Sequence, residues 1–159
     1  MFTKSASTYV EAPPEAVFDY VTDVMRHPEW AHERIEIQME PGPERGPGAR
    51  FSYVVHFMGK TEGKGSVVAA DRPRSFAYEC EDKDGRNRWQ FDLRPQGSGT
   101  MLTHSVERLS APFWIRAIQP VLYPLMGRAM VSGGLQNIKA KVEASAQGAP
   151  SPASSAPGE

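Results

Sequence analysis

The chain has 159 residues, 40% of them apolar and 23% charged, with 18 basic and 19 acidic side chains and a formal charge of −1. Such a length supports one domain with its own core, and the charge balance gives no net pull toward nucleic acid or an anionic membrane. The single cysteine, Cys80, excludes an intramolecular disulfide and a multi-cysteine metal site.

Residues 2–11, with Tyr9 and Val10 among Ser and Thr, read as a first strand. Ala12-Pro13-Pro14-Glu15 then opens a helix. Proline suits the first helical turn, where its missing N–H is not needed, and Glu15 favours the positive end of the helix. Val17, Phe18 and Val21 form its apolar stripe. Residues 23–30 read as a second short helix, interrupted near Pro28.

Alternation governs the next eighty residues. Ile35, Ile37 and Met39 mark a half-buried strand. Pro41-Gly42-Pro43 and Gly46-Pro47-Gly48 bracket a loop, expected to be mobile and to lie at a pocket mouth. Phe51, Tyr53, Val55 and Phe57 share one face of the following strand, with His56 on the other. Residues 59–65 read as a turn leading into a thin strand, strongest at Val67 and Val68. Phe76, Tyr78 and Cys80 alternate next, which makes Cys80 a buried thiol on a core face. Asp82-Lys83-Asp84-Gly85 is a hairpin signal, since Asp-Gly supplies the positive φ that such turns need. Trp89, Phe91 and Leu93 follow, and then Thr100, Leu102, His104 and Val106.

A helical tract closes the chain. Leu135, Ile138 and Val142 make a stripe opposite Lys139, Lys141 and Glu143, and Pro120 and Pro124 are expected to kink or divide the upstream part. No run approaches the roughly 20 apolar residues of a membrane span, because 111–130 is broken by Arg116, Gln119, Pro120, Pro124 and Arg128. The opening residues lack a signal-peptide pattern. A cytoplasmic protein without stable membrane insertion is therefore expected, with a domain over 1–146. Residues 147–159, rich in Gly, Ala, Pro and Ser, are expected to be a disordered tail.

The sequence thus predicts an α+β domain: a curved antiparallel sheet of six to seven strands around a long C-terminal helix. One helix does not readily fill the concavity of a twisted sheet, so a mainly apolar pocket is expected between them. The order of elements resembles the START-like, helix-grip (SRPBCC) superfamily. Local residues resemble its bacterial polyketide cyclase/dehydrase branch. The carriers of the likeness are the run from Ala12 through Pro13, Pro14, Glu15, Ala16 and Val17 to Phe18, then Pro28-Glu29-Trp30, Gly48, Pro73 and Gly99-Thr100. Leu135-Gln136-Asn137-Ile138-Lys139, running on to Glu143, completes them. The resemblance implies ligand binding under the long helix and carries no catalytic signature.

His104 falls on the inward face, where it either orients a ligand carbonyl, acts as a general base, or is a neutral hydrogen-bonded core residue. Tyr53 and Tyr78 bring hydroxyls to probable inward faces; with His104 they would serve a cyclase only if the three converged. Phe51, Phe57, Phe76, Trp89 and Phe91 are expected to line the pocket with them. Trp30, Leu102, Leu122 and Met126 complete the expected lining. His27, Glu29 and His32 are close in sequence, but His27 and His32 point to different helix faces, so no metal site is expected. Neither phosphate-loop pattern occurs among the glycines, and no cofactor is expected. Three readings stay open: a binder of a hydrophobic small molecule (lipid, isoprenoid or polyketide-like), a cyclase/aromatase or dehydratase-like enzyme, and an interaction module, even a homodimer, using 113–126.

Overall fold

The computed structural model describes residues 2–148, and their side chains except at 2, 119 and 122–130. Strand β1 (Phe2–Val10) leads to helix α1 (Pro14–Val21), a 3-10 turn (Val24–Arg26) and helix α2 (His27–Trp30). Six strands follow: β2 (Arg34–Met39), β3 (Arg50–His56), β4 (Lys60–Asp71), β5 (Ser75–Asp82), β6 (Gly85–Gln96) and β7 (Gly99–Ser110). Helix α3 (Phe113–Gln147) ends the described chain, with Gly148 as its C-cap. The rest of the expected tail lies outside the described residues.

The seven strands form one antiparallel sheet in the order β1-β7-β6-β5-β4-β3-β2. Each strand from β2 to β7 is a hairpin neighbour of the next, and β1 closes on β7 from Phe2↔Arg108 to Val10↔Thr100. The helix-grip expectation describes this architecture. Alternation places Phe51, Tyr53, Val67, Phe76, Tyr78, Phe91, Leu93, Leu102 and Val106 on the buried face. Each large side chain so buried contributes roughly 1.5–3 kcal/mol.

Helix α1 starts as its sequence requires, with Pro14 in the first turn and Glu15 beside it, and buries Val17, Phe18, Tyr20 and Val21. Residues 23–30 divide near Pro28 as expected, into the 3-10 turn and α2, and Pro28 lies in the first turn of α2. Helix α3 buries Val131, Leu135, Ile138 and Val142. Its polar face is clasped to β1: Lys139 Nζ donates to the Tyr9 carbonyl (2.7 Å), and the Glu11 N–H donates to Glu143 Oε1 (2.8 Å). Asn137 Nδ2 donates to the Trp30 carbonyl (3.1 Å), fixing α3 over α2. Gly134 lets that approach happen, because a Cβ there would stand 3.1 Å from Trp30 Cε3.

Three expectations change. Helix α3 is continuous through Pro120 and Pro124, so of the expected kink or division the division does not occur. Each proline removes one amide donor, and the helix runs on past both. The glycine loop 42–48 lies at the opposite end of the sheet from the pocket mouth described below. Successive hairpin turns alternate ends, and Arg45 Nη2 ties this loop to Asp23 Oδ2 (3.1 Å). Finally, β4 is a full strand of 12 residues with a bulge between Val67 and Ala69.

Gly63 and Gly65 sit within β4, not in a turn. Their faces are covered by the rings of Tyr53 and Phe51 on the neighbouring strand, so a Cβ at either would collide with a ring. The glycines let two aromatic rings lie flat over the backbone. Gly65→Ala is expected to lower stability by about 1–3 kcal/mol through overpacking, measured by urea denaturation. An unchanged midpoint would show that the Phe51 ring has room to move.

Candidate ligand-binding site

At the sheet end formed by the β3–β4 and β5–β6 turns, the structure holds a cavity of about 270 Å³. Its wall combines Ile35, Phe51, Tyr53, Val55, Cys80 and Trp89, with His27 and Ala31 from the α2 side and Phe57 at the mouth. Phe57 is 47% exposed. The remaining lining groups are polar: Glu33, Thr61, Asp82, Asp84, Asn87 and Arg108. An apolar body with a polar rim is the usual form of a small-molecule site.

Of the expected lining, the structure brings Phe51, Tyr53, Phe57 and Trp89 to this cavity. Trp30, Phe76 and Tyr78 meet Phe51 and His27 around an adjoining, tightly packed space. Phe91, Leu102 and His104 are buried deeper in the sheet and do not line the cavity. Leu122 and Met126 lie outside the described side chains. Sequence reasoning missed His27, Ala31, Glu33, Ile35, Val55, Thr61, Cys80, Asp82, Asp84, Asn87 and Arg108 as lining groups.

The aromatic groups are coupled ring to ring. Tyr78 stacks near Trp89 at 6.4 Å, Trp89 near His104 at 5.4 Å, and His104 lies flat on Phe91 at 4.2 Å with planes 7° apart. Trp30 meets Phe91 and His104 edge-on at 5.7 and 5.8 Å and stacks on His27 at 4.1 Å. Tyr53, Tyr78 and His104 are therefore strung along the wall through intervening rings. The Tyr53 hydroxyl turns outward and donates to Asp82 Oδ2 (2.9 Å).

Burial disfavours the protonated form of both histidines. His104 is 1% exposed, and neither ring nitrogen makes a hydrogen bond of normal geometry. Burial, with His27 nearby, pushes its pKa down to about 3, and the Val131 backbone opposes that only in part. His27 remains partly exposed as a residue, but its ring is enclosed by Trp30 and Tyr78, and burial pushes its pKa down to about 4. Burial raises the Cys80 thiol to about 12, so it is no thiolate. Burial also raises Tyr53 and Tyr78 above the usual phenol range. Glu29 accepts from the Tyr20 hydroxyl (3.0 Å), and His32 Nδ1 is 4.0 Å from Glu33 Oε1. His27, Glu29 and His32 thus serve different partners.

A family described as polyketide cyclase/dehydrase and lipid transport matches residues 1–143, nearly the whole domain. The chain belongs to this family. Among solved structures, a protein from Thermus thermophilus superposes with a TM-score of 0.73 at 21% identity. The match covers 91% of this chain and 99% of that one. The di-domain ARO/CYC StfQ of the steffimycin biosynthetic pathway superposes at 0.72 with 13% identity, covering 91% of this chain and 51% of that one. A Chromobacterium violaceum protein gives 0.69 at 18% identity, covering 90% and 99%. Likeness at these identities establishes the fold alone. No curated protein matches the sequence. Membership of the polyketide cyclase/dehydrase and lipid transport family supports a ligand-binding or cyclase role for the chain.

Proposed function

We propose that the protein binds a hydrophobic small molecule, of lipid, isoprenoid or polyketide-like character, in the cavity walled by β3, β5, β6 and the α2 side of the sheet, without transforming it. The observation that carries this reading is an apolar-walled cavity of about 270 Å³ in which burial holds the lining histidine, His27, in its neutral form, with His104 held likewise behind the wall. A general base works best with a pKa near the operating pH, and both buried histidines are held far below it. A cytoplasmic location, where thiols stay reduced, fits the free, buried Cys80. Among the described residues, no helix is long and apolar enough to cross a membrane.

The test is to fill the space. Val55→Trp places an indole into the cavity wall and is expected to weaken binding of 2-naphthol, a compact aromatic probe, by more than about ten-fold. The cost in stability is about 1–3 kcal/mol at most. Calorimetric titration reads the affinity, and unchanged affinity in the folded variant would place the ligand elsewhere.

A second reading has its own observation. Phe113, Trp114, Ile118 and Val121 of α3 are 84, 47, 47 and 71% exposed. Contiguous apolar exposure of this kind marks contact surfaces, and a homodimer would cover it. Sedimentation at rising concentration tests this: a monomer throughout removes the homodimer.

A further inference from the structure

The polar groups at the cavity mouth are unequal in kind. Three carboxylates, Glu33, Asp82 and Asp84, face one guanidinium, Arg108. That guanidinium is already engaged, since Arg108 Nη1 donates to the Asp84 carbonyl (2.9 Å). The one phenol donor is engaged as well, because the Tyr53 hydroxyl bonds to Asp82 Oδ2. Asp82 Oδ1 accepts from the Asp84 N–H (2.8 Å), and each of these carboxylate oxygens retains a second lone pair. Asn87 adds an acceptor of a different sort: its Oδ1 is buried in the cavity wall with no hydrogen-bond partner. A buried acceptor without a partner is costly, and a ligand N–H or O–H would satisfy it. With three carboxylates to one guanidinium the mouth is rich in acceptors and negative in balance, and its remaining neutral donors are the Thr61 hydroxyl and the Asn87 amide nitrogen.

We infer that this cavity takes an apolar molecule bearing hydroxyl or amine donors and rejects one bearing a free carboxylate. The inference rests on the binding reading above and names the ligand class for the same site. A carboxylate brought to this mouth meets net negative charge and offers no donor to Asn87. A hydroxyl or ammonium group meets acceptors on several sides.

Calorimetry with 2-naphthol, 2-naphthylmethylamine and 2-naphthoate tests the inference, because the three share one apolar body. At about neutral pH the naphthoate is ionised. The naphthol and the amine are expected to bind at least about ten-fold more tightly than the naphthoate. Asp82→Asn is expected to narrow that gap to within about three-fold, and Glu33→Gln to narrow it in the same direction without touching the Asp82–Asp84 turn. Naphthoate binding as well as the naphthol would overturn the inference and leave the binding reading standing. Failure of all three probes to bind would overturn both. A gap unchanged in both folded variants would overturn the charge argument.

Discussion

Lowering the pH from about 7 to about 4 is expected to destabilise the folded protein by several kcal/mol, with His104 as a major cause. The folded state holds His104 neutral, with its pKa pushed down to about 3, against an ordinary value of 6.5. As the pH falls below 6.5 the unfolded chain takes up the proton first, so stability is lost through that window and levels near the folded value. For His104 alone the loss by pH 4 is about 3 kcal/mol, since each pKa unit is worth about 1.4 kcal/mol. His27, pushed down to about 4, acts in the same direction. Glu143, lowered by its bonds to Lys139 and the Glu11 N–H, also loses stability as the pH falls, but below the ordinary carboxylate value of 4.5. The windows are therefore separable. His104→Phe is expected to hold or raise stability at neutral pH, because an apolar ring replaces a buried group without well-formed hydrogen bonds. It should also flatten the stability-against-pH curve between 4 and 6 by nearly one proton. Denaturant titrations across this range measure both effects. An unaltered slope would mean that His104 is solvated or paired in solution.

Phe91→Ala is expected to cost about 3–5 kcal/mol. Phe91 is fully buried, lies flat on His104 and meets Trp30 edge-on. Its removal leaves a void beside His104 that is open to a polar occupant. Water entering there would solvate the imidazolium, so the folded His104 pKa should rise toward 6.5 and the acid sensitivity of the variant should shrink. A urea midpoint series at neutral and acidic pH reads both. A loss below about 1 kcal/mol would show that the sheet collapses to fill the gap.

The strands, the Asp-Gly hairpin and the Leu135, Ile138 and Val142 stripe were legible because each depends on local period or turn chemistry. So was the inward direction of His104, which follows from alternation with Leu102 and Val106. Its lack of a normal hydrogen bond was not legible, because partners are set by tertiary approach. Gly63 and Gly65 read as a turn because glycine carries no face of its own; only the rings of Phe51 and Tyr53 laid across them reveal a strand. Asp82, Asp84 and Asn87 belong to the β5–β6 hairpin, and their chemistry at the mouth depends on which end of the sheet the cavity opens toward. Hairpin spacing says that ends alternate but not which end stays open.

The most direct measurement of the central claim is nuclear magnetic resonance mapping of the protein saturated with 2-naphthol. The account predicts the largest shifts at Phe51, Tyr53, Val55, Cys80 and Trp89, which wall the cavity. Shifts confined to Phe113, Trp114, Ile118 and Val121, with the cavity wall unmoved, would contradict it.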